Sequence, residues 1–373
     1  MWKAVKYRPE DLVETSEMTR EYYGESWVSD PGFLKWQYED NPAGPAVIQL
    51  ARDLDTNRLA GQNVVIPMRF KTDNRPMNGT LCLNILTREA FCGQGIFTGL
   101  AEPVYQDCVE QGLEFCYAFP NPNSYPGFIR KLGFTDLGSV PLLLRPLNPK
   151  ALVQKKLGSL LAPLVLPFHL LFSVKDPSND RYEIYPLSAL NLSELNAFWT
   201  KIQHKYPIMG IRDADYLRWR YFDIPLRDYQ LYGVRQKNSS DLLGYIVGRC
   251  TEVDAMASGM IVDFLIDPSH PAAGSLLVNR LLRFFVDNKM DLAGSLMMPH
   301  TEEARILKAN RFFTCPKALE PQPFRLVYRR FNPPLADKNA KMSVKVNEKE
   351  ENNDDSFLQL SHWFLTMGDY DVI

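Results

Sequence analysis

Residues 81–100 read LCLNILTREAFCGQGIFTGL. The apolar run LCLNILT has the composition of a buried strand, and the apolar residues after Gly95 open a helical spacing. Between them stand Cys92, Gly93, Gln94 and Gly95. Glycine lets the backbone turn sharply and approach a ligand without a Cβ in the way. Amides of the first helical turn have no partner within the helix, and the dipole there favours an anion. A pyrophosphate fits such a loop; a tight strand–helix turn that binds nothing is the other reading of a lone GxG. A dinucleotide fingerprint is a rival, since Gly93, Gly95 and Gly99 approximate GxGxxG. That fingerprint requires an acidic residue at the far end of the next strand. Glu114 has the separation but opens its strand, LEFCYAF, and three strands precede the loop where one is expected.

Outward from the loop, the chain repeats itself. Residues 33–42 read FLKWQYEDNP and residues 216–225 read YLRWRYFDIP, so Leu34, Trp36, Tyr38, Asp40 and Pro42 match Leu217, Trp219, Tyr221, Asp223 and Pro225. Two strand-like runs follow each motif, then a third (81–87 and 259–267), a helix-length segment, a strand (LEFCYAFPN and LAGSLMMPH) and a short helix running into Phe. The offset between matching residues stays about 180, which indicates a duplicated domain. The order in each copy is strand, two helices, three strands, helix, strand, helix, strand. Pro103 falls about two turns into the first copy's long helix, where a kink is expected. In the second copy the glycine loop is replaced by DPSHPAAGSLLV.

At 373 residues the chain is long enough for two domains of about 150–180 residues. A hydrophobic content of 45% and a charged content of 23% are those of a globular protein, and the net charge of −2 gives no electrostatic footprint for nucleic acid. The six cysteines contain no CxxC pair, which points to free thiols and a cytoplasmic setting. The five histidines lack metal-ligand spacing, so no metal is expected. The opening MWKAVKYRPEDL reads as a strand and not as a secretory leader.

Strand LCLNILT, loop CGQGIFTGL, strand LEFCYAFPN and segment FIRKLGF together resemble the GNAT superfamily of acetyl-CoA-dependent N-acetyltransferases. The resemblance covers 1–146 and, with a degenerate loop, 181–330. It implies an α/β protein of two tandem acyl-CoA N-acyltransferase folds, each a mixed, mostly antiparallel sheet flanked by helices. The implied domains are 1–148, with the acetyl-CoA site, and 179–332, degenerate. An apolar linker spans 149–178, and a charged tail (333–373) ends in a docking segment. In the family, loop amides hold the CoA pyrophosphate. Gly95 matches the first motif glycine and Gly93 the frequent extra one; Cys92 stands where Arg or Gln is usual, and Phe97 replaces the last Gly/Ala.

The resemblance assigns the cosubstrate acetyl-CoA to Leu86, Thr87, Cys92, Gly93, Gln94, Gly95, Ile96, Phe97, Thr98, Asn121 and Asn123. Many members carry a Tyr that protonates the thiolate four residues before the Gly of the LGF segment; Ile129 stands there. Tyr125 is the substitute acid and Glu89 the candidate base, against the bland readings of a helix-packing Tyr and a solvated loop Glu. Trp36 and Glu39 are the candidate acceptor-binding residues. Persistence of Trp, Tyr, Asp and Pro in the copy without the glycine loop favours an aromatic core for the motif.

The run LGSLLAPLVLPFHLLFS (157–173) is short for a membrane span and broken by Pro163 and Pro167. It reads as an interdomain element, with interfacial membrane contact as the alternative. The segment FLQLSHWFLTMGDYDVI is expected to dock as a strand, with His362, Asp369 and Asp371 within reach of an acceptor and Trp363 and Phe364 as packing residues. The resulting expectation is an N-acetyltransferase of a small-molecule amine, such as an amino sugar or sugar nucleotide. A Fem-type aminoacyl transferase and a non-catalytic acyl-CoA-binding scaffold are the alternatives.

Overall fold

The computed structural model describes residues 1–73, 75–150, 173–174, 179–331 and 356–370. The expectations for the linker run, apart from Ser173, and for Asp371 therefore lie outside the described residues. The first sheet is built on β1 (Trp2–Lys6), β2 (Val47–Asp53), β3 (Leu59–Lys71), β4 (Pro76–Thr87), β5 (Phe115–Ala118) and β6 (Thr135–Ser139). Strand β7 (Leu142–Pro146) follows directly. The second half contributes β8 (Tyr182–Pro186), β9 (Ile208–Gly210), β10 (Gln230–Gln236), β11 (Leu242–Val253), β12 (Met256–Ile266), β13 (Leu292–Leu296), β14 (Phe313–Thr314) and β15 (Arg325–Arg330). A last short strand, β16, is Trp363–Phe364.

The two sheets exchange strands. The first has the order β1-β2-β3-β4-β5-β15-β6, with β9 added on β3 and β16 on β9; the second has the order β14-β7-β13-β12-β11-β10-β8. Strand β15, from the second half, lies antiparallel between β5 and β6, and β7, from the first half, lies between β13 and β14. Each sheet is mixed: β4 and β5 run parallel, as do β12 and β13, and the pairs β2–β3 and β11–β12 are antiparallel.

Helices α1 (Leu12–Tyr23) and α2 (Pro31–Tyr38) precede β2, and α3 (Ile96–Gly99), α4 (Ala101–Glu110) and α5 (Tyr125–Arg130) follow β4. In the second half stand α6 (Leu192–Ile202), α7 (Ala214–Leu217), α8 (Pro271–Asp287) and α9 (Glu302–Ala309). Both repeated motifs start the same way. The Asp30 carboxylate accepts from the amides of Gly32 and Phe33 at the start of α2, and Asp213 accepts from Tyr216 at the start of α7. Such caps satisfy helix donors that have no partner of their own. After α7 the second motif continues as a π-helical turn through Arg218–Phe222. Pro103 does not kink a long helix. The helical run breaks at Leu100, and Pro103 falls in the first turn of α4, where its missing donor costs nothing.

One apolar cluster runs through both halves and includes Leu34, Trp36, Tyr216, Trp219, Phe264 and Trp363. A smaller one, with Val104, Cys108, Cys116 and Phe128, fills the space between the first sheet and α4 and α5. The segment 356–370 is held in the larger core. Strand β16 pairs parallel with β9, and Asp369 and Asp263 flank Arg212 at 2.5 and 3.1 Å.

Candidate functional site

Strands β4 and β5 keep register from Gly79↔Phe115 to Cys82↔Ala118 and pair no further, while β4 continues along β3 to Thr87. Beyond Cys82 the edge of β4 that faces β5 has no strand partner among the described residues. A bulge marks the point of departure: Gln62 opposes Leu86 and Val64 opposes Leu83, so β4 carries one extra residue. Asn84 sits in the bulge with φ 47°. Its side-chain amide donates to Gln37 Oε1 and Tyr38 Oη, both at 3.1 Å, and its carbonyl accepts from Gln62 Nε2 at 3.0 Å. Sequence reading missed Asn84, although a lone Asn in an apolar strand was the available signal.

The loop after β4 makes one short turn over Glu89–Phe91 and then passes through Gly93 (φ 79°) and Gly95 (φ 76°). Both conformations are strained for any residue with a Cβ. A Cβ at either glycine would meet nothing within 4 Å, so the space beside both is open. Among the described residues, the amides of Gly93, Gly95, Ile96 and Phe97 find no acceptor, as a helix start leaves them. Ile96 is buried against Gly61, and the Phe97 ring packs on Gly127 and meets Phe128 edge-on at 5.9 Å. The Phe97 side chain is thus turned away into packing, and its amide is what remains for a ligand. Trp2 donates from its indole to the Gln94 carbonyl at 3.0 Å and covers Gly99. Thr98 Oγ1 donates to the Gly95 carbonyl at 3.1 Å. The Cys92 thiol is exposed.

The other candidates divide. Leu86 and Thr87 pair with β3 and lie beside the loop, past the point where β5 leaves β4. Glu89 is exposed in a shallow cleft of about 640 Å³, lined also by Glu21, Asp53, Arg58, Arg88 and Phe91. Asn121 lies past the end of β5, but its side chain is spent on a turn, accepting from the amides of Asn123 and Ser124 at 3.0 and 2.9 Å. Asn123 is exposed.

Tyr125 donates its hydroxyl proton to Asp136, and Arg325 Nε, from β15, donates to the same carboxylate oxygen at 2.8 Å. The hydrogen bond to Asp136 raises the Tyr125 phenol above its ordinary value. Burial works to raise Asp136, but Tyr125 and Arg325 hold it below the usual carboxylate range. Trp36 is 6% exposed, and both its ring and its indole N–H are used within the core. Glu39 is half-buried and accepts from Tyr7 Oη at 3.3 Å.

The far side of the opening is closed by the segment carrying β16. Tyr117 Oη donates to the Asp369 carbonyl at 3.2 Å, and the Tyr370 ring meets Phe119, the residue after β5, edge-on at 4.9 Å. His362 is half-buried and Asp369 is committed to Arg212.

No protein-family model matches the sequence, and no curated protein matches it. Solved structures do match the fold. A Saccharomyces cerevisiae N-myristoyltransferase with bound myristoyl-CoA aligns at a TM-score of 0.60 and 11% identity, over 89% of this chain and 79% of that one. A GCN5-related N-acetyltransferase from Anabaena variabilis aligns at 0.61 and 12% identity, over 89% and 73%. A conserved Enterococcus faecalis protein described as a probable N-acyltransferase aligns at 0.61 and 9% identity, over 89% and 73%. With two mixed sheets flanked by helices, a strand that leaves its neighbour, and a glycine loop set against the gap, the chain has the two-lobed fold of the GNAT superfamily.

Proposed function

We propose that the chain is an acyl-CoA-dependent N-acyltransferase that uses acetyl-CoA and acts on the amine of a small molecule. The observation that carries this reading is the juxtaposition of four unpartnered loop amides, Gly93, Gly95, Ile96 and Phe97, with the unpaired edge of β4. Amides at a helix start attract a pyrophosphate, and a freed strand edge offers backbone groups to a pantetheine arm and acyl carbonyl. The amine nitrogen would attack the thioester carbon. A C–N bond forms, the C–S bond breaks, and the proton lost by the amine balances the one gained by the thiolate. Glu89 is the residue we assign to accept the amine's proton, directly or through water.

The domains 1–148 and 179–332 are proposed as duplicated units that trade their closing strands, with the second bracing the acceptor cleft. A cytoplasmic setting belongs to the same reading. Hydrogen bonding of Tyr125 to Asp136, together with Ile129 where the family has Tyr, favours one competing reading: a scaffold that binds acyl-CoA without turnover. The test is release of free CoA thiol from acetyl-CoA in the presence of a panel of primary amines, with myristoyl-CoA as a second donor. Thiol release that depends on an amine supports catalysis. Binding without release on any amine supports the scaffold.

A further inference from the structure

Between the two halves, beside Tyr370, Arg220 and Arg227 meet at the hydroxyl of Tyr229. Arg220 is 6% exposed and spends its guanidinium on neutral acceptors only: the Gly368 carbonyl at 3.2 Å, the Tyr370 carbonyl at 3.4 Å and Tyr229 Oη at 3.2 Å. Arg227 donates to the same Tyr229 hydroxyl at 3.2 Å, and its guanidinium carbon stands 3.3 Å from the centre of the Trp27 ring. The Nε and Nη2 atoms of Arg227 are buried without a hydrogen-bond partner. The acids of the same stretch, Asp223 and Asp228, are exposed, and among the described residues no carboxylate pairs with Arg220 or Arg227. Among the described residues, the buried Arg220 and the half-buried Arg227 share one phenol and have no carboxylate to offset their charge.

The electrostatics agree with the geometry. Burial works to raise the Tyr229 phenol, but Arg220, Arg227 and Arg249 bring it down to about 8. Burial lowers Arg227 to about 10. The Tyr229 direction reports the positive potential of the surrounding arginines, whereas the Arg227 direction reports its burial.

The position matters as much as the charge. Arg220 holds the Tyr370 carbonyl, and the Tyr370 ring lies on Phe119 immediately past the end of β5. One aromatic layer therefore separates the cations from the point where β4 and β5 part. We infer that Arg220, Arg227 and Tyr229 form an anion-recognition site for a carboxylate on the acceptor, so that the acceptor is an amine that also carries a carboxylate, as amino acids and peptides do. This assignment rests on the acyltransferase reading for the acceptor's role. Arg227 contributes its two unpartnered N–H groups, a fork suited to a carboxylate's two oxygens.

A carboxylate has a second source, Asp371, which follows Tyr370 directly. The test distinguishes the two. The titration of Tyr229 is followed by phenolate difference absorbance, with Tyr229→Phe as the blank. Common amino acids are added to the wild type, each against its own carboxamide. A carboxylate seated between the arginines raises the Tyr229 midpoint by about one pH unit, and its amide does not. Arg227→Met abolishes the response.

If no amino acid moves the midpoint, or if acid and amide move it equally, the inference fails. If the response appears only in a variant lacking residues 371–373, the chain's own residues fill the cluster, and the inference also fails. Acetyl-CoA binding is measured on the same samples. Binding of acetyl-CoA without any carboxylate response defeats this inference and leaves the acyl site standing. Absence of acetyl-CoA binding defeats the acyltransferase reading and the acceptor role with it.

Discussion

Trp36 and Trp219 hold each other by a reciprocal pair of hydrogen bonds: Trp36 Nε1 donates to the Trp219 carbonyl at 2.9 Å, and Trp219 Nε1 donates to the Trp36 carbonyl at 3.1 Å. Their rings stack with centroids 4.6 Å apart and planes 15° from parallel. The same side chain thus serves both repeats at one shared contact, which gives FLKWQYEDNP and YLRWRYFDIP a structural reason to match. Each tryptophan supplies the surface on which the other is buried.

The contact makes a stability prediction. Trp36→Ala removes a buried ring and takes the indole donor from the Trp219 carbonyl, while the carbonyl of residue 36 still accepts from Trp219, at a cost of about 3–5 kcal/mol. Trp219→Ala costs the same, and the double variant falls well short of the sum because both delete one interaction. Urea denaturation of the three variants checks this. Additive losses would show that the rings act independently.

Asp369 fixes the segment 356–370 through Arg212, with every atom of both side chains out of solvent. Removing one partner of a buried pair strands the other. Asp369→Ala is therefore expected to lose about 3–5 kcal/mol and to expose the segment to protease. Limited proteolysis reads the release directly. A variant as resistant as the wild type would show that β16 pairing alone holds the segment.

Asp136 supplies a pH dependence. Its folded pKa lies below the model-compound value because Tyr125 and Arg325 outweigh burial. A depressed carboxylate stabilises the fold above its unfolded pKa, and that contribution is lost as pH falls through the folded one. The stability gap between wild type and Asp136→Asn is thus expected to be constant near neutrality and to shrink below about pH 4. Denaturation curves across that range test the sign. A gap that widens on acidification would contradict it.

Glu89 and Tyr125 make opposite predictions for turnover. Glu89→Gln is expected to lower the turnover rate about a hundredfold with acetyl-CoA binding intact. Tyr125→Phe leaves the rate within a few-fold, since its proton is directed to Asp136, and lowers stability by about 1 kcal/mol. Steady-state kinetics with any amine that supports thiol release separate the two. The reverse ranking would make Tyr125 the acid.

Much of the fold was legible because it depends on local signals. Glycines at 93 and 95 announce a positive-φ turn between strand and helix. The exchange of β7 and β15 was not legible, because LLLRP and RLVYRR alternate as acceptably in one sheet as in the other. Partner choice for a strand is set by topology and not by its own sequence. The site shows the same division. Loop residues were proposed from the family resemblance, whereas Trp36, also proposed for the acceptor, lies in the core. Arg220 and Tyr229 escaped notice because an arginine in sequence reads as surface until its burial is seen. Asn84 escaped because a bulge leaves no periodicity of its own.

The central claim is that the loop of Gly93 and Gly95 holds the pyrophosphate of an acyl-CoA. Calorimetric titration of acetyl-CoA into the wild type and into Gly95→Glu tests it most directly. The variant forces a Cβ and a negative charge into a left-handed position on the open side of the loop. The account predicts saturable binding to the wild type and none to a variant that remains folded by circular dichroism. Absence of binding to the folded wild type, or equal binding to both proteins, would contradict it.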